Sequence, residues 1–170
     1  DIVLCCKRND LLQEIAPVLE PDRHTLVSVV TGADIAAIRS IVGDAVPVVR
    51  AMPNTAIAVG ESMTCLAGER ESLNLASAVF DPLGSTLVIH EEQMGPATAL
   101  CACGTAFFLR AIRAASQGGI EIGFHSDDAL AMAVQTALGA AALLRERGLH
   151  PEREIDRVTT PRGATIRGLN

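Results

Sequence analysis

As far as His90 the chain alternates two hydrophobic periodicities, and beyond it only one persists. Ile2–Cys6, Leu26–Val30, Val46–Met52, Ser62–Ala67 and Thr86–His90 are short, near-continuous apolar runs of strand character. Asp10–Leu19, Ile35–Val42 and Glu69–Phe80 instead repeat their apolar residues at helical spacing. Strands without polar alternation are covered on both faces, which implies a parallel sheet with helices on each side. From about Glu92 the strand signal is gone. Two long Ala- and Gly-rich helices are expected, roughly Pro96–Ile122 and Asp127–Arg147, with Ser126 and Asp127 capping the second. Gly148 then ends that helix and Pro151 opens a short one through Arg157. The expected organisation is therefore residues 1–92 as an α/β sheet domain and 93–170 as an all-α domain.

Composition narrows the classes of function. Hydrophobic residues make up 49% of the chain, yet it holds four Phe and neither Tyr nor Trp, so small aliphatic side chains do the packing. The stacking surfaces and positive face that nucleic acid requires are missing at a net charge of −6, and no nucleic-acid partner is expected. No apolar run as long as the ~18 residues of a membrane span is visible, and no signal peptide opens the sequence. The expectation is a soluble, cytoplasmic protein. Its five cysteines follow neither metal-ligand nor disulfide spacing and read as reduced, small hydrophobes, with no metal site.

Chemistry-bearing residues gather at strand exits and at the C-terminal end. In an open parallel sheet, ligands bind outside the carboxyl ends of the strands. There lie Cys6-Lys7-Arg8, Val30-Thr31-Gly32 and Arg50-Ala-Met-Pro-Asn-Thr55. Lys7 faces a phosphate or simply solvent; the Met-Pro-Asn-Thr segment is a ligand wall or an ordinary turn. Glu91 and Glu92 cannot share one side of a helix, so an acid–base pair is not expected; either a helix-start charge preference accounts for both, or one of them reaches the cleft between domains. In Asp156-Arg-Val-Thr-Thr-Pro-Arg-Gly-Ala-Thr-Ile-Arg-Gly-Leu-Asn170, Thr159 or Thr160 is expected to cap a helix that begins at Pro161. Free amides behind Gly163 then make either a plain capped helix or a socket for a small carboxylate, with the Thr165 hydroxyl one turn inside. No G-x-G-x-x-G occurs, and Asp1 already stands in a strand, so the opening βαβ unit is expected to lie outside this sequence.

Taken together, Arg50-Ala-Met-Pro-Asn-Thr-Ala-Ile-Ala-Val-Gly-Glu-Ser-Met-Thr64, the Cys103-Gly-Thr-Ala-Phe107 helix start, Ala133-Val-Gln-Thr-Ala-Leu-Gly-Ala-Ala141 and Arg157-Val-Thr-Thr-Pro-Arg-Gly-Ala-Thr-Ile166 resemble the pyrroline-5-carboxylate reductase family. The resemblance runs from Asp1 to Asn170 in that family's order. It implies a fragment: the later part of a Rossmann-like dinucleotide-binding domain, followed by an all-α domain that interlocks with a partner's into a homodimer or a higher oligomer. It implies NADPH- or NADH-dependent reduction of 1-pyrroline-5-carboxylate to L-proline, a biosynthetic reaction. By position it implies Cys6, Lys7, Val30, Thr31 and Asn54 at the cofactor. At the substrate it implies Glu91, Thr160, Gly163, Ala164 and Thr165, with Thr165 donating a hydrogen bond to the ring nitrogen. The family's terminal motif usually reads Ser-Pro-Gly-Gly, whereas here it is Thr160-Pro161-Arg162-Gly163. Arg162 either clamps the substrate carboxylate or obstructs the pocket. The alternative is a non-catalytic dimerising relative whose pocket Arg162 has altered.

Overall fold

A computed structural model describes the backbone of residues 1–5 and 9–170, and the side chains of all but residues 4–9. Five strands form one sheet in sequence order: β1 (Ile2–Cys5), β2 (Thr25–Ser28), β3 (Val48–Met52), β4 (Ser62–Gly68) and β5 (Gly84–Val88). The helices α1 (Asn9–Ile15), α2 (Ile35–Val42) and α3 (Arg70–Phe80) connect β1 to β2, β2 to β3 and β4 to β5. Each of those connections is a crossover, and each of those strand pairs is parallel. The sheet is mostly, not wholly, parallel, because β3 and β4 pair antiparallel. Their link is a short loop carrying only a 3-10 turn, Thr55–Val59, and it returns the chain directly beside itself.

Side-chain alternation divides the core residues of β2, β3 and β4 between two covered faces, whereas Leu87 and Val88 of β5 are exposed, against the expectation that every strand is covered. Leu26 and Val48 pack with Leu12 of α1 and Ile38 and Val42 of α2. Val27, Val49, Ala51 and Leu66 point the other way, against Leu73, Ala76 and Phe80 of α3. Met52, Cys65 and Ala67 meet Met94 beyond the sheet. All five residues of β3 are buried, as a central strand flanked on both faces requires. Two glycines are fixed by close approach. A Cβ on Gly84 would lie 2.1 Å from the Ser62 carbonyl oxygen, and one on Gly68 2.9 Å from that of Val48.

After β5 a 3-10 turn, Glu91–Gln93, is capped reciprocally by His90 and Gln93. Then α4 (Met94–Ala97), a π-helical segment (Thr98–Cys103) and α5 (Gly104–Glu121) follow without a break. The remaining helices are α6 (Ser126–Arg147), α7 (Pro151–Val158) and α8 (Ala164–Leu169). Gly148 closes α6 in the left-handed conformation (φ 60°), and Pro151 opens α7, as the sequence predicts. The expected cap at Ser126 and Asp127 does not form: Ser126 is already helical and His125 is the N-cap, with no side-chain bond.

The described residues form two compact units, Asp1–Phe107 and Phe108–Asn170. In the second, Gly119 lets α5 approach α6 so closely that a Cβ there would lie 3.0 Å from that of Ala129. Glu154 of α7 pairs with Arg147 of α6 at 2.9 Å and with Arg157 at 3.3 Å. Much apolar surface on α5 and α6 is open, including Phe108, Leu109, Leu130 and Leu138. The expectation that no stretch reaches membrane-span length needs correction. The helical runs Glu91–Glu121 and Ser126–Arg147 are each long and apolar enough by length and composition. Alanine contributes much of that average, and polar or charged residues interrupt both helices, so no unbroken apolar stretch of that length stands out in the sequence.

Candidate active site

Because β1, β2 and β3 are mutually parallel, their carboxyl ends share one edge of the sheet. Two of the predicted positions leave the sheet there. Val30 is buried and its amide donates to the Ser28 hydroxyl at 3.3 Å, while Thr31 is exposed. Gly32 follows at φ 87°, a conformation that favours glycine, and among the described residues no atom lies within 4 Å of where a Cβ would stand. Cys6 and Lys7 lie outside the described residues.

Asn54 terminates the exit of β3 and is tied on three sides. Its Oδ1 accepts from the Ala56 amide at 3.0 Å, capping the 3-10 turn. Its Nδ2 donates to the Cys101 carbonyl at 3.3 Å, and its own amide donates to the Ser62 hydroxyl at 3.2 Å. The Cys101 carbonyl also accepts from Thr105 Oγ1 at 3.3 Å. A π-helical turn shifts the backbone ladder by one residue and makes a carbonyl available to side chains. The Met-Pro-Asn-Thr segment thereby holds the irregular turn of the long helical run in register with the sheet.

Glu91 belongs to the same unit and is held more firmly than its sequence position suggests. Its Oε1 accepts from the Ile35 amide at 2.6 Å, at the start of α2, and from Arg50 Nη1 at 3.3 Å. Glu91 and Glu92 do stand in the first turn of the 3-10 helix they open, as the helix-start preference expects, and the Glu91 carboxylate in addition reaches the start of α2. Arg50 is a functional candidate that sequence reasoning missed. The available signal was a single cation inside a strand that is otherwise entirely apolar.

Beside this cluster Cys65 is 2% exposed, and Cys101 packs against the group of side chains to which it belongs. Burial foremost, then the charge and hydrogen bonding of the Cys101 thiol, push the Cys65 thiol up to about 11.

The C-terminal residues depart from expectation in one respect. Pro161 is not the first residue of a helix; α8 begins at Ala164, with Gly163 as N-cap and no side-chain cap. Thr159 instead returns its hydroxyl to the Ile155 carbonyl at 2.7 Å. Thr160–Gly163 is a β-turn closed by the Gly163 amide on the Thr160 carbonyl at 2.9 Å. With Pro161 second and Arg162 third at φ 62°, the turn is type II. That conformation is what displaces the helix start by three residues. A Cβ on Gly163 would lie 2.3 Å from Thr160 Oγ1, so a glycine is needed beside that hydroxyl. Thr165 is half-buried in the first turn of α8, where its amide and that of Ala164 have no intrahelical carbonyl to reach. Thr160, Arg162, Gly163, Ala164 and Thr165 are thus brought together by sequence and turn, while Val30, Thr31, Asn54 and Glu91 lie in the other compact unit.

Residues 91–170 match the family model for pyrroline-5-carboxylate reductase dimerisation. The chain is 52% identical to pyrroline-5-carboxylate reductase 1 of Dictyostelium discoideum, over 99% of this chain and 34% of that protein. The chain belongs to the pyrroline-5-carboxylate reductase family. It is 47% identical to reductase 2 of the same organism, over 99% of this chain and 62% of the relative. Among solved structures, that of Plasmodium falciparum pyrroline carboxylate reductase with NADP bound matches at a TM-score of 0.87 and 25% identity. That match covers 99% of this chain and 67% of the other. The chain therefore spans about one third and just under two thirds of the length of the two Dictyostelium reductases. The family's Rossmann-type sheet and helical dimerisation region are both represented in it.

Proposed function

We propose that the whole protein reduces 1-pyrroline-5-carboxylate to L-proline with NADPH or NADH, in the cytoplasm, as a homodimer or higher oligomer built on its helical region. The 52% identity to a named reductase across 99% of the chain carries this reading. A dinucleotide fits the residues present. The strand exits at Val30–Gly32 and at Asn54 lie at one edge, and no described residue comes within 4 Å of where a side chain on Gly32 would start. Val30, Thr31 and Asn54, with Cys6 and Lys7, would hold the cofactor, which supplies the hydride when bound.

The substrate is a five-membered cyclic imine with a carboxylate. The amides at Ala164 and Thr165, the Thr160 hydroxyl and the Arg162 cation suit the carboxylate, with Gly163 keeping the backbone clear beside them. The Thr165 hydroxyl suits the imine nitrogen, whose hydrogen bonding or protonation makes the adjacent carbon a better hydride acceptor. Glu91 is assigned to the substrate's surroundings. We place the boundary between the cofactor-binding and helical domains after residue 92, where the strands have ended. The open apolar side chains of α5 and α6 support association between chains, which a dimer mass in light scattering checks.

Thr165→Ala in the whole protein tests the assignment. Steady-state oxidation of NADPH with pyrroline carboxylate should slow by roughly ten- to a thousand-fold, the span for a lost transition-state hydrogen bond. Unchanged kinetics would remove Thr165 from the reaction.

A further inference from the structure

We propose that Arg50 is a positioning residue for the reduction: with the Ile35 amide it fixes Glu91 by one carboxylate oxygen and so sets the orientation of that side chain. The inference rests on the assignment of Glu91 to the substrate. Arg50 is the one charged residue of β3, and it is 8% exposed. Its strand neighbours in register are Ser28 and Ala67, both small, which leaves room for a guanidinium over the sheet. Burying that cation among apolar side chains is costly, and a well-packed hydrophobic residue would commonly serve stability as well. What a hydrophobic residue would not supply is orientation.

Glu91 is the means by which the buried charge reaches solvent: its side chain is 33% exposed, against 10% for that of Arg50. Both donors converge on Oε1, the Ile35 amide at 2.6 Å and Arg50 Nη1 at 3.3 Å. The amide belongs to the first turn of α2, whose N-cap Asp34 accepts from the Ala37 amide at 2.7 Å, so the donor itself is rigidly placed. A carboxylate anchored at one oxygen by a backbone amide and a strand-borne guanidinium has lost its rotamer freedom before substrate arrives, which is the condition for precise orientation.

Kinetics of the whole protein with its nicotinamide cofactor decide the matter, using Arg50→Met, Arg50→Lys, Glu91→Gln and the double variant Arg50→Met/Glu91→Gln. The expected loss in kcat/KM for pyrroline carboxylate is about ten- to a hundred-fold in Arg50→Met, the scale of an ångström-sized misplacement. The KM for the cofactor should stay unchanged, which a general structural defect would not allow. Arg50→Lys should recover part of the loss, and the double variant should be no worse than Glu91→Gln alone. If Arg50→Met does not fold, Arg50→Lys carries the same comparison, with an intermediate loss that Glu91→Gln absorbs. Impaired Glu91→Gln beside normal Arg50 variants overturns the inference and leaves the assignment of Glu91 standing. Additive losses in the double variant also overturn it. A fully active Glu91→Gln overturns both.

Discussion

Alkaline pH should destabilise the sheet unit through one thiol, and the composition makes the effect separable. The sequence has no tyrosine and a single lysine, Lys7, so few groups besides cysteines titrate as pH rises from about 9 to 11. Cys65 is raised from 9.0 to about 11 by burial first, then by Cys101. Below pH 9 the thiol is protonated in both folded and unfolded chains and makes no pH-dependent contribution. Above it the unfolded thiol ionises while the folded one holds its proton, so the unfolded state binds fewer protons and stability falls with pH. The fall ends near the folded value, and two units correspond to at most about 3 kcal/mol. The assay is the free energy of denaturant unfolding from pH 8 to pH 11 for the wild type and Cys65→Ala. The variant starts lower by about 1 kcal/mol for its lost sulfur contacts and should decline less steeply, by a difference of roughly 2–3 kcal/mol across the window. Parallel curves would refute the reasoning.

Gly84→Ala should cost about 3 kcal/mol or more, since φ 144° is strained for alanine and the added carbon would stand 2.1 Å from a buried strand carbonyl. A shift in unfolding free energy below about 1 kcal/mol would show that β5 yields easily. Arg162→Gly should change stability by less than about 1 kcal/mol, because relief of a left-handed arginine and the greater freedom of unfolded glycine oppose each other. If Arg162 holds the substrate carboxylate, the KM for pyrroline carboxylate rises several-fold in that variant. A lower KM would show that the arginine obstructs the pocket.

The alternation of strand and helix was legible because burial on both faces of a sheet leaves its mark in every strand residue, as in Val48–Met52. The antiparallel pairing of β3 with β4 departs from the parallel sheet expected: Met52 and Ser62 are separated by too little chain, without a helix, to cross over. Gly148 and Pro151 announced their roles through backbone chemistry that depends on nothing distant. Local signals failed at Thr160–Gly163, where Pro161 suits a helix start and the second position of a turn equally well. The left-handed Arg162 decides between them, and a residue with a Cβ does not advertise that conformation. Arg50 and Glu91 are 41 residues apart, a pairing that only the closed sheet creates. The π-helical turn at Thr98–Cys103 is likewise tied to a residue far off in sequence, Asn54, whose side chain donates to the Cys101 carbonyl.

Isotope transfer tests the central claim most directly. The whole protein is incubated with pyrroline carboxylate and NADPH or NADH carrying deuterium at the transferable position of the nicotinamide, and the product is read by mass spectrometry and NMR. The account predicts L-proline with one deuterium on the ring carbon that had been double-bonded to nitrogen. Proline without the label, or no proline with either cofactor, would contradict it.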